Sequence, residues 1–337
     1  MRSATPPFRL AFASFLMTAL ALPVTAGAID LERAEVKAFI ERMVDEHGYE
    51  RAELEAALTA AETQGSILEA ISRPAEKTLA WHEYRDIFLT EERIAAGAEF
   101  WRTHEEALRR ISEETGVSCE VLVGIIGVET YFGRITGRYR VLDALATLAF
   151  DYPPRADFFR RELEQFLLLV REEGMDATQA MGSYAGAMGA PQFMPSSFRA
   201  YAVDSSNDGR RDIWTDWQDV IGSVANYIVQ HGWKRGLPVI TQATLGSNWQ
   251  GTKPDRNPLS PTETIGSLSR QGVLFSTDLP ADHKGQLLVL EGKDGDEYWV
   301  GFHNFFVITR YNRSVMYALA VHQLGREVAL EVQRRAS

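Results

Sequence analysis

The chain is most distinctive at Val123-Gly-Ile-Ile-Gly-Val-Glu-Thr-Tyr-Phe-Gly133, where a strongly apolar run ends on one acidic residue, Glu129. On a helix, Ile125 and Ile126 lie one turn before Glu129 and share its face. Desolvation on such an apolar face penalises the charged carboxylate and is expected to raise the pKa of Glu129. A carboxyl group that stays protonated near neutral pH is suited to general-acid catalysis. The alternative is a glutamate at a helix end whose carboxylate lies in solvent.

A second distinctive stretch is Gly182-Ser-Tyr-Ala-Gly-Ala-Met-Gly-Ala-Pro-Gln-Phe-Met-Pro-Ser-Ser197, which is rich in Gly, Ser and Pro and is predicted to be a loop. Its small residues allow the backbone to approach a ligand closely. Ser183 and Gln192 are able to hydrogen-bond such a ligand, and Phe193 and Met194 are able to pack on it. An ordinary tight loop is the alternative. Ser183 lacks the Gly-x-Ser-x-Gly spacing of a serine-hydrolase nucleophile.

A third stretch, Asp204-Ser-Ser-Asn-Asp-Gly-Arg-Arg-Asp212, has the spacing at which a calcium loop begins. Asp204, Ser206 and Asp208 stand at positions 1, 3 and 5, where side-chain oxygens bind the ion. Gly209 follows at position 6, and Arg210 offers its carbonyl at position 7. Ca²⁺ bound here would be structural. The alternative is an Asx-rich turn without metal.

The closing carboxylate of this calcium loop is displaced from its usual place. Position 12 is Thr215 rather than a glutamate, so the last ligand has to come from Asp216 or Asp219. Other metal and cofactor chemistries are poorly supported. The seven histidines show no His-Glu-x-x-His or paired zinc spacing. No Walker A or dinucleotide fingerprint is present, so no cofactor is expected for catalysis.

The first 28 residues have the pattern of a signal peptide. Arg2 and Arg9 precede an uncharged apolar run, Leu10–Leu22, and Ala26-Gly27-Ala28 is a small-x-small cleavage pattern. The apolar run is shorter than the roughly 20 residues that a membrane helix needs, so no transmembrane span is expected after its removal. Cys119 is the only cysteine, so no lipid-bearing cysteine follows the cleavage site. We therefore predict a soluble, periplasmic protein, and we expect a monomer.

The composition is that of a globular protein with an acidic balance. The 337 residues are 45% hydrophobic and 24% charged, and the formal net charge is −11. Because no basic stripe or cluster accompanies this acidity, nucleic acid is excluded as an expected partner. Glycans remain compatible partners, because sugars are recognised through hydrogen bonds and aromatic stacking.

Apolar residues recur at helical spacing over most of the chain, which predicts a mainly α protein of the α+β type. Residues 30–115 are expected to be helical, with one helix opened by Pro74 and another over Ile94–Ile111. A stripe of apolar residues in Asp157–Arg171 predicts an amphipathic helix. A further helix is expected around Ile221–Ile228.

The last part of the chain changes character. Residues 241–262 are polar and rich in Pro and Asn, which indicates a linker or exposed loop. A short helix is expected over Thr262–Ser269. Two apolar segments, Leu287–Glu291 and Tyr298–Phe302, flank turn residues and predict a β-hairpin. Helix is expected again from about Arg313.

Taken together, these motifs resemble those of the lytic murein transglycosylases of the membrane-bound B type. The matching segments run in order across nearly the whole chain after the predicted signal peptide. They are Pro74–Leu79 with Tyr84-Arg85, Gly124–Thr130, Leu142–Leu148, Gly186–Gly189 with Gln192–Ser197, Ile221–Tyr227 and Ile308–Ser314. Such an ordered series is far more specific than any single motif.

The resemblance implies a role for each matching position. Glu129 occupies the place of the family's catalytic glutamate, and Ser183 that of a serine near the reacting sugar. Asp219 aligns as the late carboxylate of the calcium loop. Pro154 stands where the family often has a second arginine beside its cleft arginine. The positions that match cleft residues are Gln192, Phe193, Arg155, Tyr84, Tyr227, Tyr311 and Tyr317.

The resemblance also implies a lysozyme-like helical core with a small β-containing subdomain. The expected division is a signal peptide (1–28), a helical N-terminal region (29–115), a catalytic core with the calcium loop (116–240), the β-containing subdomain (241–302) and a C-terminal segment packing back on the helical region (303–337).

The implied activity is cleavage of the β-1,4 bond between MurNAc and GlcNAc in peptidoglycan strands, with formation of 1,6-anhydro-MurNAc. Most glycoside hydrolases use two carboxylates, whereas this family is understood to use one glutamate as acid and then as base. Two alternatives remain open. One is a lysozyme-like muramidase, in which water replaces the sugar hydroxyl. The other is a non-catalytic glycan-binding protein of the cell envelope.

Overall fold

The computed structural model describes residues 27–72, 79–254 and 256–336, and most of its regular structure is helical. The helices are α1 (Ala34–His47), α2 (Arg51–Thr59), α3 (Gly65–Ile71), α4 (Trp81–Phe88), α5 (Glu91–Thr103), α6 (Glu105–Thr115), α7 (Cys119–Thr130), α8 (Val141–Asp151), α9 (Ala156–Glu173), α10 (Pro195–Tyr201), α11 (Trp217–Gln230), α12 (Ile265–Arg270), α13 (His303–Ile308) and α14 (Val315–Ala336). The strands are β1 (Gly27–Ala28), β2 (Glu62–Thr63), β3 (Tyr139–Arg140), β4 (Met181–Gly182), β5 (Ile240–Leu245), β6 (Glu263–Thr264), β7 (Val273–Phe275), β8 (Lys284–Gly292) and β9 (Gly295–Gly301).

Helix α7 runs through the centre of the core, and every residue from Val121 to Val128 is buried. A helix that is apolar on all sides needs neighbours on all sides, and α14, α5, α6 and α11 supply them. Helices α7 and α14 approach most closely where each has a glycine. A β-carbon on Gly124 would lie 2.2 Å from the carbonyl oxygen of Val321, and one on Gly325 would lie 2.0 Å from that of Glu120. Only glycine therefore permits this contact at either position.

The predicted amphipathic helix is confirmed as α9. Its apolar stripe, which includes Phe159, Leu163 and Phe166, is buried. The stripe packs against α8, which is buried along nearly its whole length. Helix α9 ends at Gly174, whose left-handed conformation (φ 64°) caps the last turn.

The single helix expected over Ile94–Ile111 is wrong, because the structure divides it into α5 and α6. His104 lies between them with φ −115° and ψ 23°, outside the helical range. Its ring packs against Phe100 at 4.6 Å and against Trp217 at 5.3 Å between ring centroids. Trp217 belongs to α11. The contact of His104 with Trp217 therefore lies at the break between α5 and α6, and α6 packs against α11.

The sheet has the strand order β6-β8-β9-β5-β7, with antiparallel pairing throughout. Strands β8 and β9 form the predicted hairpin. The linker expected over residues 241–262 is wrong for its first part, because β5 pairs with β9 on one side and β7 on the other. Ile240 and Ala243 bury their side chains while the polar neighbours face outward. Main-chain pairing on both sides stabilises β5 as a strand, although its polar residues did not predict one.

The buried apolar residues form two clusters. The larger one joins helices along most of the chain, from Ile29 to Val328. The smaller one lies against the sheet, between Ala243 and Phe302, which is compatible with a separate β-containing subdomain. The other predicted boundaries, at residues 115, 240 and 303, fall inside the larger cluster and stay predictions.

The predicted signal peptide lies almost wholly outside the described residues, as does Pro74. Its last two residues, Gly27 and Ala28, form β1 and pair with β2. Within the described ranges, none of the helices combines the length and the apolar character that crossing a membrane requires. Cys119 is partly buried, and its thiol lies 3.5 Å from the carbonyl oxygen of Leu108.

Candidate active site

Glu129 is the penultimate residue of α7 and is partly buried, between the fully buried Val128 and Thr130. Tyr317, in the first turn of α14, donates its phenolic hydrogen to Oε1 of Glu129 at 2.6 Å. Tyr317 itself is only 2% exposed. A hydrogen bond to a carboxylate inside the protein is stronger than one in water, so this contact fixes the orientation of the Glu129 carboxyl group.

The chain turns sharply directly after Glu129. Tyr131 and Phe132 both have left-handed conformations, with φ of 52° and 58°. Such conformations are unfavourable for residues other than glycine and concentrate at functional sites. The buried hydroxyl of Thr130 donates to the carbonyl oxygen of Ala190 at 2.9 Å, which joins the end of α7 to the 182–197 loop. The turn therefore ends α7 within two residues of the carboxylate.

Four of the residues predicted for the cleft form one aromatic cluster, which consists of Phe193, Tyr227, Tyr311 and Tyr317. Tyr311 stacks on Tyr317 with 6.4 Å between ring centroids and an angle of 12°, and it contacts Tyr227 at 4.7 Å with the rings tilted by 57°. Phe193 contacts Tyr227 at 5.7 Å and Tyr311 at 5.9 Å. Since Tyr317 holds Glu129, the cluster adjoins the carboxylate.

The tyrosines of this cluster stay neutral over the physiological pH range. Burial raises the pKa of Tyr227 to about 12. Burial also raises the pKa of Tyr311 and of Tyr317 well above the usual value, and the negative charge of Glu129 adds to both increases. Tyr317 is therefore a permanent donor to the Glu129 carboxylate.

The hydroxyls of the other two tyrosines bond to main-chain carbonyls. Tyr311 donates to Pro191 and Tyr227 to Arg310, each at 2.7 Å. Both bonds tie the cluster to the segments around it, the first to the 182–197 loop and the second to the segment before α14.

The 182–197 loop is held by its own polar side chains. The hydroxyl oxygen of Ser183 accepts the main-chain N–H groups of Ala185 at 3.3 Å and Ala187 at 3.1 Å. Gln192 has a left-handed conformation (φ 53°), and its side-chain amide donates to the carbonyl oxygens of Thr136 at 3.0 Å and Gly189 at 2.9 Å. Ser183 and Gln192 thus shape the loop, and the hydroxyl hydrogen of Ser183 is not used by these bonds.

The remaining predicted cleft residues lie outside this aromatic cluster, although Tyr84 is near enough to Tyr317 for its charge to add to the increase in the pKa of Tyr317. Tyr84 is buried in α4, with its ring 5.1 Å from that of Phe88. Met194 is partly buried and caps α10. Arg155 is exposed, and its guanidinium lies 4.2 Å above the ring of Phe158. The contacts found among the described residues connect Arg155 to α9 and not to the aromatic cluster.

Sequence reasoning missed Arg93, which contacts the same end of α7. Its guanidinium donates to the carbonyl oxygen of Gly127 at 3.1 Å and lies 4.5 Å above the ring of Tyr131. Burial lowers the pKa of Arg93. Nothing in the local sequence marks this arginine, because its position depends on how α5 packs against α7. Thr130 was missed as a separate functional residue for the same reason.

The predicted calcium loop is closed by main-chain hydrogen bonds to its acidic residues. Asp204 accepts the N–H groups of Asp208 at 3.2 Å and Gly209 at 2.8 Å. The carboxylate of Asp219 is buried and accepts the N–H groups of Ser205 at 2.7 Å and Ser206 at 3.0 Å, and also that of Asp212. Nearby, Asp216 caps α11 through its side chain.

Burial is the largest influence on Asp219 and raises its pKa. For Asp204 the main-chain hydrogen bonds outweigh burial, so its pKa is lowered. In the part of the chain that is described, His, Cys, Asp and Glu do not gather into any group of three or more that could hold a metal ion. Oxygen donors from Asp204, Ser206 and Asp208 are nevertheless the chemical type that calcium prefers. The predicted ligand set stays a prediction.

A mainly helical fold in which a glutamate at the end of a buried helix adjoins a cluster of aromatic rings is compatible with the class of enzymes that cleave glycan strands. The chain belongs to the family described as Transglycosylase SLT domain, whose model matches residues 32–326. This match confirms the family resemblance and the mainly α, lysozyme-like fold.

Proteins similar to this chain include several lytic transglycosylases. The chain is 44% identical over 302 residues to membrane-bound lytic murein transglycosylase B of Escherichia coli (strain K12), covering 87% of this chain and 82% of that one. Catenated lytic transglycosylase SltB1 from Pseudomonas aeruginosa is 50% identical, with a TM-score of 0.83 and coverage of 89% and 98%. The Escherichia coli lytic transglycosylase SLT35 in complex with calcium is 42% identical, with a TM-score of 0.82 and coverage of 91% and 96%.

Proposed function

We propose that this lytic murein transglycosylase uses Glu129 alone as its acid and its base. The observation that carries the proposal is the hydrogen bond from Tyr317 to Glu129 beside the aromatic cluster. Protonated Glu129 donates to the glycosidic oxygen between MurNAc and GlcNAc, and this bond breaks. The ionised Glu129 then accepts the proton of the MurNAc C6 hydroxyl, whose oxygen attacks C1. The product ends in 1,6-anhydro-MurNAc, and the enzyme recovers its starting protonation state.

Tyr317 has two tasks in this scheme. Its hydrogen bond to Oε1 holds the carboxyl group of Glu129 in one orientation during proton transfer. When Glu129 loses its proton, the same hydrogen bond becomes charge-assisted and stabilises the carboxylate. The positive charge that develops at C1 is stabilised by the N-acetyl group of the substrate. No metal takes part in these steps.

The aromatic cluster and the 182–197 loop are proposed to bind the sugar rings. Phe193, Tyr227 and Tyr311 offer ring faces for stacking. The free hydroxyl hydrogen of Ser183 is available to a substrate oxygen, and Gln192 shapes the loop that carries it. Tyr84, Met194 and Arg155 are also proposed as substrate-binding residues of the cleft.

The decisive test is mass spectrometry of the products released from purified sacculi by the wild type and by Glu129→Gln. We expect the wild type to release anhydro-muropeptides and Glu129→Gln to release at least a thousandfold less, since the general acid is lost. Hydrolysis instead gives products heavier by one water, and that result supports the muramidase alternative. Equal release by Glu129→Gln refutes the catalytic assignment.

We also propose that the loop beginning at Asp204 binds structural calcium through Asp204, Ser206, Asp208 and the carbonyl of Arg210. Its support is the spacing, the oxygen-only donor set, and a relative solved in complex with calcium. Asp219 is the proposed fifth ligand. Because its oxygens accept main-chain N–H groups, calcium must share or displace those bonds. Periplasmic location and a monomeric state are proposed on the sequence pattern alone.

A further inference from the structure

Two adjoining cavities lie between the helical part of the protein and the sheet. The first has a volume of about 340 Å³ and is lined by the start of α4, the end of β8 and the start of α14. The second has a volume of about 220 Å³ and shares Leu259 and Arg313 with the first. We name the pair the arginine recess, because Arg256, Arg310 and Arg313 line it.

The arginine recess is positively charged in an otherwise acidic protein. Arg256, Arg310 and Arg313 are all exposed, and none of them takes part in the ion pairs found between described residues. Glu291 is the one acidic residue among the described residues that line the recess. The described residues that line the recess therefore have a local excess of positive charge, in a chain that carries −11 overall.

The main chain that carries the arginines is held in place. Asn257 donates to the carbonyl oxygen of Val289 at 2.6 Å and accepts its N–H at 2.9 Å, which attaches the segment after Arg256 to β8. At the other wall, the hydroxyl of Ser314 accepts the N–H of Tyr317 at 3.2 Å and caps the first turn of α14. Arg313 precedes Ser314, the residue directly before a helix of 22 residues, whose N-terminal end adds a partial positive charge.

The recess adjoins the active site through the same segment. Arg313 lies two residues before α14, in whose first turn Tyr317 holds Glu129. Arg310 contributes its carbonyl oxygen to the hydroxyl of Tyr227 at 2.7 Å. An anion in the recess and a sugar on the aromatic cluster would therefore both contact the segment from Arg310 to Tyr317.

We propose that the arginine recess binds a carboxylate of the peptide stem carried by the glycan strand. This inference rests on the proposed function. In murein the sugars offer hydroxyl and acetamido groups, whereas the peptide stems carry the carboxylates. Guanidinium groups bind carboxylates through paired, charge-assisted hydrogen bonds. The volume of the larger cavity falls in the range of small-molecule sites, about 300–1,000 Å³, so it accommodates part of a peptide.

The test compares two substrates: stem-bearing glycan strands, and the same strands after an amidase has removed the stems. The measured quantity is the ratio of kcat/KM on the two substrates for each variant. We expect the ratio to fall about tenfold in Arg256→Gln/Arg313→Gln and less in either single variant, given the usual strength of charged hydrogen bonds. The matched control is Arg109→Gln on the exposed face of α6, where the ratio stays at the wild-type value.

A ratio unchanged in the double variant, with a wild-type melting curve, overturns the proposal. If Arg313→Gln fails to fold, the ratio measured for Arg256→Gln, which lies in an exposed segment, still tests the proposal. If the wild type forms no anhydro product from either substrate, the proposed function fails instead.

A binding titration tests the carboxylate directly. Glu129→Gln protein is titrated with a free tetrapeptide stem and with the same peptide after amidation of its carboxyl groups. We expect weaker binding of the amidated peptide. Equal binding, or displacement of the peptide by inorganic phosphate at similar concentration, refutes a stem-specific site.

Discussion

Tyr317→Phe is the substitution that probes the active site most directly. It keeps the buried ring and its stacking on Tyr311, and it removes only the hydroxyl that donates to Glu129 at 2.6 Å. A hydrogen bond to a charged group contributes about 1.5–3 kcal/mol. If the bond is strongest when Glu129 is ionised, its loss raises the barrier by up to this amount. Each 1.36 kcal/mol corresponds to about tenfold in rate, so kcat should fall roughly 10- to 150-fold.

The assay is release of soluble anhydro-muropeptides from sacculi, with kcat separated from KM. Because the aromatic surface is retained, we expect KM to change by less than about threefold. The matched control is Tyr49→Phe. Tyr49 is also buried, and its hydroxyl donates to the carbonyl oxygen of Leu167 at 2.6 Å, in a part of the fold formed by α9.

Both variants lose one buried hydrogen bond, so both should lose about 1–3 kcal/mol of unfolding free energy. Only Tyr317→Phe should lose kcat. If Tyr317→Phe is destabilised as much as Tyr49→Phe but keeps the wild-type kcat, the hydrogen bond has no part in catalysis. The role assigned to Tyr317 is then wrong.

Four further results are expected. Thr130→Val removes the hydroxyl that donates to the carbonyl oxygen of Ala190. We expect the free energy of unfolding, measured in urea, to fall by about 1–3 kcal/mol and kcat to decrease. An unchanged kcat would show that the turn after Glu129 has no part in catalysis. Gly325→Ala places a β-carbon 2.0 Å from a carbonyl oxygen of α7, so the melting temperature should fall, whereas Ala at the open position Gly236 meets no neighbour and strains only its local turn. Burial in α14 lowers the pKa of His322 to about 4 from its usual 6.5. The contribution of neutral His322 to stability is therefore fully present above pH 6.5 and is lost as the pH falls towards 4. In His322→Leu the free energy of unfolding should depend less on pH over this range. Chelator should lower the melting temperature and added Ca²⁺ should restore it, and an unchanged melting curve excludes the calcium site.

The parts of the fold that were predictable from sequence are those encoded locally. The apolar run before Glu129 is long enough to specify a buried helix, and the stripe of Asp157–Arg171 specifies an amphipathic one. Only three of the six residues of strand β5 are apolar, without strict alternation, and the strand depends on its two partner strands for pairing. The break at His104 depends on Trp217, which lies more than a hundred residues further along the chain. Contacts at such separation leave no periodic signal.

The candidate site shows the same division. Glu129 stands out in its own segment, but nothing in the spacing of Tyr227, Tyr311 and Tyr317 indicates that their rings meet. Only the family resemblance selected these tyrosines. Arg93 was marked neither by its own segment nor by the family resemblance. It reaches the site because α5 packs on α7.

The geometry of the acid depends on how closely two helices pack. Helix α7 is buried on all sides between Val121 and Val128, so it accommodates carboxyl groups only near its ends, and Glu129 lies at the end that the left-handed residues Tyr131 and Phe132 terminate. The partner hydroxyl comes from α14, and the distance between the helices is set by Gly124 and Gly325. A change that moves the helices apart by even half an ångström would lengthen the 2.6 Å hydrogen bond before it unfolds the core. Activity should therefore be more sensitive than stability to substitutions along this helix contact.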